Sequence, residues 1–204
     1  LMKIICVGRN YAAHAAELKN EVPKEPVIFL KPDTALIPKR QPFFYPDFSN
    51  DIHYEAELVV RINRLGKNIA EKFAHKYYSE VTLGIDFTAR DIQQQLKEKG
   101  LPWERAKAFD GSAPVGQFIK INSLRNSKNI DFKLLINKEE RQIGDTNDML
   151  FSINQLISHI STFMTLKIGD LIFTGTPQGV GPIKIGDHLE GFIEDQKLLD
   201  LKIK

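Results

Sequence analysis

The chain has 204 residues, 42% apolar and 26% charged, with a formal net charge of +2 and a single cysteine. That balance fits one globular domain with a substantial core, and the dispersed charges, without long single-sign blocks, argue against nucleic acid or an anionic membrane as partner. One cysteine excludes an intrachain disulfide framework and fits a reducing compartment. With no transmembrane-length apolar stretch and no visible signal peptide, a cytoplasmic protein is expected. Leu1 ahead of Met2 reads as an added residue, so Met2 is the expected native start and residues 2–204 the expected single catalytic domain.

In chain order, residues 3–7 read as a strand ending at Gly8, with Cys6 a buried, inert thiol inside an apolar run. The alanine-rich residues 11–18 form a helix of about two turns, high in propensity but too short to be stable alone. Residues 27–30 are a strand stopped by Lys31-Pro32. Residues 38–46, with three prolines and three aromatics, are a packed or functional loop. Residues 55–62 and 81–85 are strands, the first carrying the β-branched Val59, Val60 and Ile62. Residues 88–99 are a helix closed by Gly100 and Pro102. Residues 131–137 alternate, with Phe132, Leu134 and Ile136 on one face, and turn through 137–140 into a return strand. Residues 152–164 carry the i, i+3, i+4, i+7 pattern of an amphipathic helix in Ile153, Leu156, Ile157 and Ile160. Residues 171–173 are a buried strand, and 189–193 and 198–203 form a hairpin across 194–197. Strands outnumber helices, come in hairpins and show no βαβ alternation, so a β-rich α+β fold is expected.

The most informative feature is a set of carboxylates. Glu55 and Glu57 lie one residue apart on a strand and therefore share a face, and Asp86 sits at the end of the next strand, 81–85. If the two strands are close, the three carboxylates converge into a site for a hard divalent cation, Mg2+ first, with positions left for water or substrate. Three carboxylates on such an ion leave a net charge of −1, so nearby cations are needed to hold an anionic substrate. Taken singly these residues have simpler explanations: a solvated strand face for the glutamates, a helix N-cap for Asp86.

Three further groups accompany them. His14 and Glu17, three apart on the short helix, share a face, and a carboxylate beside an imidazole fixes its tautomer and raises its basicity, which suits a general base. Arg90 and Gln93 share a face of the helix after Asp86, and Lys107 follows; cations there would stabilise an enolate. Residues 174–182, with three glycines and two prolines, follow a strand and can offer backbone N–H groups to an anion, without matching a nucleotide-binding pattern. His53, His75, His159 and His188 have no metal-ligand spacing, and no Gly-x-Ser-x-Gly elbow is present. A solvated pair, helix face or turn accounts for each group alone.

Taken in order, the segments resemble the fumarylacetoacetate hydrolase family. The residues carrying the likeness are 6–14, Phe29-Leu30-Lys31-Pro32, Glu55-Ala56-Glu57-Leu58, Asp86 to Asp91, Gly100 to Trp103 with Lys107, Gln142 to Thr146, Gly169 to Pro177, and Gly186-Asp187. The subgroup they resemble is the short single-domain acylpyruvate hydrolases, which also decarboxylate oxaloacetate. The resemblance implies mixed β-sheets rolled around the active site, a few peripheral helices and a homodimer. It implies Mg2+ or Mn2+ on Glu55, Glu57 and Asp86, and a lid carrying His14 and Glu17. Arg90, Gln93 and Lys107 fall on substrate-contacting positions, Lys107 with a catalytic part, and Thr176 falls in the substrate loop. Phe109 to Pro114 departs from the relatives, and Asp110 either alters substrate charge preference or faces solvent.

The expected reaction is metal-dependent cleavage of a C–C bond in an acylpyruvate, giving pyruvate and a carboxylic acid, with His14 assisted by Glu17 activating water. Oxaloacetate decarboxylation, or isomerisation or tautomerisation of a 2-oxo diacid such as 2-hydroxyhepta-2,4-diene-1,7-dioate, passes through a related enolate, so the sequence does not separate these reactions. The reading outside enzymes is a non-catalytic small-acid-binding relative, which has no need of a base such as His14. The segment from about Arg9 to Val22 is expected to be mobile without ligand and to close over a bound 2-oxo acid.

Overall fold

The computed structural model describes residues 2–17 and 21–204. Among these are strands β1 (Ile4–Gly8), β2 (Val27–Lys31), β3 (Ile52–Tyr54), β4 (Ala56–Ile62), β5 (Tyr78–Ile85), β6 (Thr88–Ala89), β7 (Ile119–Lys120), β8 (Asp131–Ile136), β9 (Glu139–Asp145), β10 (Leu171–Phe173), β11 (Gly181–Pro182), β12 (His188–Ile193) and β13 (Gln196–Lys202). The helices are α1 (Ala12–Glu17), α2 (Glu71–Ala74), α3 (Arg90–Glu98), α4 (Glu104–Lys107) and α5 (Ile153–Phe163). None of them is long and apolar enough to cross a membrane.

The strands form a six-stranded sheet ordered β2-β1-β10-β4-β5-β7, a three-stranded sheet β11-β3-β6 and a four-stranded sheet β13-β12-β8-β9. The large sheet is mixed: β1 pairs parallel with β10, and its other neighbours are antiparallel. Its central strands are covered on both sides and accordingly read as continuous apolar runs rather than alternating ones. Residue parity decides the face. Ile5, Val7, Leu58, Val60 and Ile172 join one core cluster beneath α5, whose Leu156, Ile157 and Ile160 are fully buried. Ile4, Cys6, Val59 and Phe173 join another on the opposite face. Each large apolar side chain so buried contributes roughly 1.5–3 kcal/mol. Ser152 and Gln155 close a reciprocal capping box at the start of α5.

The β-rich α+β expectation matches this architecture, with local corrections. The helix expected over 88–99 begins at Arg90, because Thr88 and Ala89 pair with His53 and Ile52 as an extended strand. Tertiary pairing outweighs helix propensity there. Gly100 ends α3 at φ +61, as expected. The β8–β9 turn is two residues, Asn137 and Lys138, both at positive φ as a tight hairpin demands. The β12–β13 turn is likewise shorter than 194–197, since Gln196 already pairs with Ile193. The 38–46 loop is packed: Phe43 is buried, and Phe43 and Tyr45 donate N–H bonds to Lys202 and Lys204. Cys6 is fully buried, and burial, then Asp86, pushes its thiol well up, so it is an inert core thiol.

Candidate metal centre and substrate pocket

The pairing of β4 with β5 builds the site. Their register sets Ala56 opposite Ile85 and Glu57 opposite Gly84, and the Asp86 N–H donates to the Glu55 carbonyl at 2.8 Å. Glu55 lies in the break between β3 and β4, one residue ahead of the strand expected to contain it. Its side chain nevertheless joins those of Glu57 and Asp86: one carboxylate oxygen from each lies within 4.8 Å of the others, and all three residues are buried. Asp86 is no helix cap, for α3 has no side-chain cap.

Cations meet two of the three carboxylates. Lys107 Nζ, at the end of α4, lies 2.8 Å from Glu55 Oε2, 2.7 Å from Asp86 Oδ2 and 2.6 Å from Thr88 Oγ1. Arg90 donates through Nη2 to Glu55 Oε1 at 2.5 Å and through Nη1 to Gln93 Oε1 at 2.6 Å. Lys31 Nζ lies 2.7 Å from Asp86 Oδ1 and donates to the carbonyls of Phe87, Lys107 and Ser112. Burial by itself opposes charge on Lys107, but Asp86 and Glu55 outweigh it and raise its pKa. For Glu55 burial acts upward and is overcome by Lys107 and Arg90, which hold it well below the usual carboxylate range.

Glu57 differs. Its Oε2 accepts the Gly175 N–H at 2.8 Å, and among the described residues it has no ion pair. Burial, then Asp86 and Glu55, pushes its carboxyl well above the ordinary value. A buried carboxyl beside two carboxylates, with no cation of its own, fits a divalent ion: an all-oxygen donor set suits Mg2+ or Mn2+, and the ion supplies the charge that Glu57 lacks.

The pocket above this floor is lined by His14, Glu55, Glu57, Asp86, Arg90, Gln93, Lys107 and Thr176, so eight of the nine site residues expected from sequence meet there. Glu17, the ninth, stands behind His14, with Oε2 at 3.2 Å from His14 Nδ1. Its carboxylate also accepts the Gly179 N–H at 3.1 Å. The N–H groups of the glycine-rich loop thus serve two of the protein's own carboxylates, Glu57 through Gly175 and Glu17 through Gly179. Gly175 is obligatory there, with φ +99 and a Cβ position only 2.6 Å from Asn10 Cβ. Thr176 is committed: its hydroxyl donates to the Ala56 carbonyl and accepts from Gln142 Nε2, both at 2.9 Å.

Several residues in and behind the pocket wall lay outside the candidate-site reading. Lys31 and Gln142 were legible only as members of longer motifs; a lysine closing an apolar strand was the available signal for the first. Asn10 is buried, donates to the Phe151 and Thr174 carbonyls and accepts the Phe151 N–H, which pins the chain just before α1. Arg9, Lys97, Phe29 and Trp103 also line the pocket. Asp110 is exposed and outside the pocket lining, so of its two readings the structure favours solvent. Of the segment expected to form a lid, Leu18–Asn20 lie outside the described residues; His14 is buried in the pocket wall. A second cluster, His188, Glu190 and Asp200, arises from hairpin register, but Lys197 Nζ already lies 3.0 Å from Glu190 and 2.8 Å from Asp200.

The sequence and the fold match a known family. A family model described as fumarylacetoacetate (FAA) hydrolase C-terminal matches residues 3–204, and the chain belongs to that family. It is 43% identical over 201 residues to the Bos taurus protein named oxaloacetate tautomerase FAHD1, mitochondrial, covering 98% of this chain and 90% of the relative. It is 44% identical over 188 residues to oxaloacetate tautomerase YcgM of Escherichia coli K12, covering 92% and 86%. Among solved structures, fumarylpyruvate hydrolase from Pseudomonas aeruginosa, in complex with Mn2+ and pyruvate, superposes with a TM-score of 0.93 at 36% identity, covering 100% of this chain and 89% of that one. Homologues in the family are therefore enzymes acting on small oxo acids.

Proposed function

We propose that this chain is a divalent-metal-dependent enzyme that forms and protonates the enolate of a 2-oxo acid, with keto–enol tautomerisation of oxaloacetate as its first reaction. The observation that carries the reading is a His–Glu pair set over a buried three-carboxylate floor. Support for the substrate comes from the two oxaloacetate tautomerases at 43% and 44% identity. Glu55, Glu57 and Asp86 hold Mg2+ or Mn2+, which when bound supplies Lewis acidity to the 2-oxo acid group. Arg90 Nε, buried and without a partner, and the Gln93 amide, whose oxygen is taken by Arg90, present N–H groups to the substrate carboxylate. Thr176 contributes as a lone-pair acceptor and as support for the loop. With Nδ1 engaged by Glu17, His14 Nε2 is the ring nitrogen that takes the proton from C3 and returns it. The Lys107 ammonium adds positive charge beside the oxygen on which negative charge develops. A second reading is favoured by the fumarylpyruvate hydrolase likeness: the same His14 Nε2 deprotonates a water that cleaves an acylpyruvate.

Residues 2–204 act in this reading as one catalytic domain, supported by the family match over 3–204. The homodimer rests on the family resemblance, and the reducing, cytoplasmic setting on a single buried cysteine. The test is a parallel assay of oxaloacetate tautomerisation, oxaloacetate decarboxylation and acetylpyruvate hydrolysis, with Mg2+ and with EDTA. Tautomerisation should be the fastest and EDTA-sensitive; activity on none of the substrates would leave the chain a small-acid-binding relative.

A further inference from the structure

The cations of the pocket divide into two sets. Lys107 and Arg90, with Lys31 beneath the pocket, are ion-paired with Glu55 and Asp86. Arg9 and Lys97 also line the pocket, are half-buried, and among the described residues have no ion pair. Lys97 lies seven residues after Arg90 on α3, two turns along the same face and roughly 10 Å further along the axis. Arg90 touches the carboxylate floor, so Lys97 marks the opposite end of the pocket. Arg9 is fixed there by its backbone. It sits at φ +60, uncommon for a residue with a side chain, and the next residue is the pinned Asn10. Phe29 and Trp103, an edge-to-face pair with ring centroids 6.0 Å apart, also line the pocket, Phe29 with its ring centroid 5.2 Å from Lys107 Nζ.

We infer that Arg9 and Lys97 form a subsite for the distal carboxylate of a 2-oxo diacid and so determine the preference for dianionic over monoanionic substrates. Two unpaired, partly desolvated cations facing one cavity are costly without an anion and reward one that arrives. The repulsion is visible in Lys97, whose pKa is lowered by burial and then by Arg9 and Arg90. The aromatic pair gives the pocket an apolar stretch of wall, suited to a short carbon chain with charge at each end. Neither residue takes part in the proton transfer.

The inference rests on the proposed reading for the position of the first carboxylate, but it is tested without turnover. Malate and lactate are 2-hydroxy acids that differ by one distal carboxylate. Their binding is measured by calorimetry in Mg2+ buffer on the whole chain, on Arg9→Gln, Lys97→Gln and the double variant, and on Arg9→Lys and Lys97→Arg. The wild-type chain should prefer malate, and each removed charge should cut that preference about tenfold, about 1.4 kcal/mol. The charge-retaining variants should keep most of it, which separates charge from damage to the fold. A wild-type ratio near one, including no binding of either acid, overturns the inference, as does a ratio that survives the double variant. A chain that prefers malate through these residues yet turns over no 2-oxo acid would sink the proposed reaction and leave the subsite standing.

Discussion

The floor of the pocket and its His–Glu wall are built by different means. The floor sits where two central strands pair, and its side chains are held redundantly: Asp86 by Lys107 and Lys31, Glu55 by Lys107 and Arg90. His14 and Glu17 ride on a six-residue helix rich in alanine; their 3.2 Å contact is internal to it, and the Gly179 N–H ties Glu17 to the glycine-rich loop. A helix of that length has little stability of its own. The difference teaches a division of labour. On the proposed reading, binding of the 2-oxo acid group falls to the redundantly held floor, and the handling of protons or water to the short helix.

The comparison breaks first at Glu57. Glu57→Ala should reduce Mg2+ affinity by more than the roughly 10–100-fold that loss of an outer partner costs, and abolish turnover. Calorimetric titration of Mg2+ checks it, and full activity in EDTA would refute the metal role. Next is His14→Ala, which should keep the floor and lose the base. Acylpyruvate hydrolysis should fall roughly 10²–10⁴-fold, with oxaloacetate decarboxylation, which consumes no water in its bond-breaking step, falling far less. Equal losses on both substrates would make His14 structural.

Lys31→Met probes the redundancy itself. It removes one partner of Asp86 and a donor from three buried carbonyls, of which those of Lys107 and Ser112 keep a second donor in Ser112 Oγ and the Phe87 N–H, so unfolding free energy should drop by about 3–5 kcal/mol. Urea denaturation measures it; a loss below about 1 kcal/mol would show that Lys107 alone suffices. The smallest effect is on the wall without substitution. With Mg2+ present, amides of α1 should exchange faster than those of α5 and gain protection when oxalate is added. If they are already as protected as α5 without oxalate, the His–Glu segment is a preformed wall and not a lid.

What was legible in the sequence follows the same division. Glu55, Glu57 and Asp86 could be found because strand alternation is local and the apolar runs announced neighbouring strands. His14–Glu17 and Arg90–Gln93 could be found because a helix brings i and i+3 together. Lys31 and Gln142 were hidden because their partners come from Ser112, Thr176 and Ala56, far along the chain, and the one local signal, a lysine closing an apolar strand, does not say what that lysine meets. The start of α3 was misplaced for the same reason, since Thr88 and Ala89 are extended only because His53 and Ile52 pair with them. The His188, Glu190 and Asp200 cluster depends on hairpin register rather than on spacing.

The pairing of the floor carboxylates has a consequence for how the protein is assembled. Glu55 and Asp86 carry their own cationic partners, and Glu57 accepts the Gly175 N–H, so each floor carboxylate has a partner within the protein. The chain can therefore fold first and be metallated afterwards, unlike small domains whose ligands repel one another until the metal joins them. Chelation should then switch the protein off without unfolding it, and the same molecules should regain activity when the ion is restored.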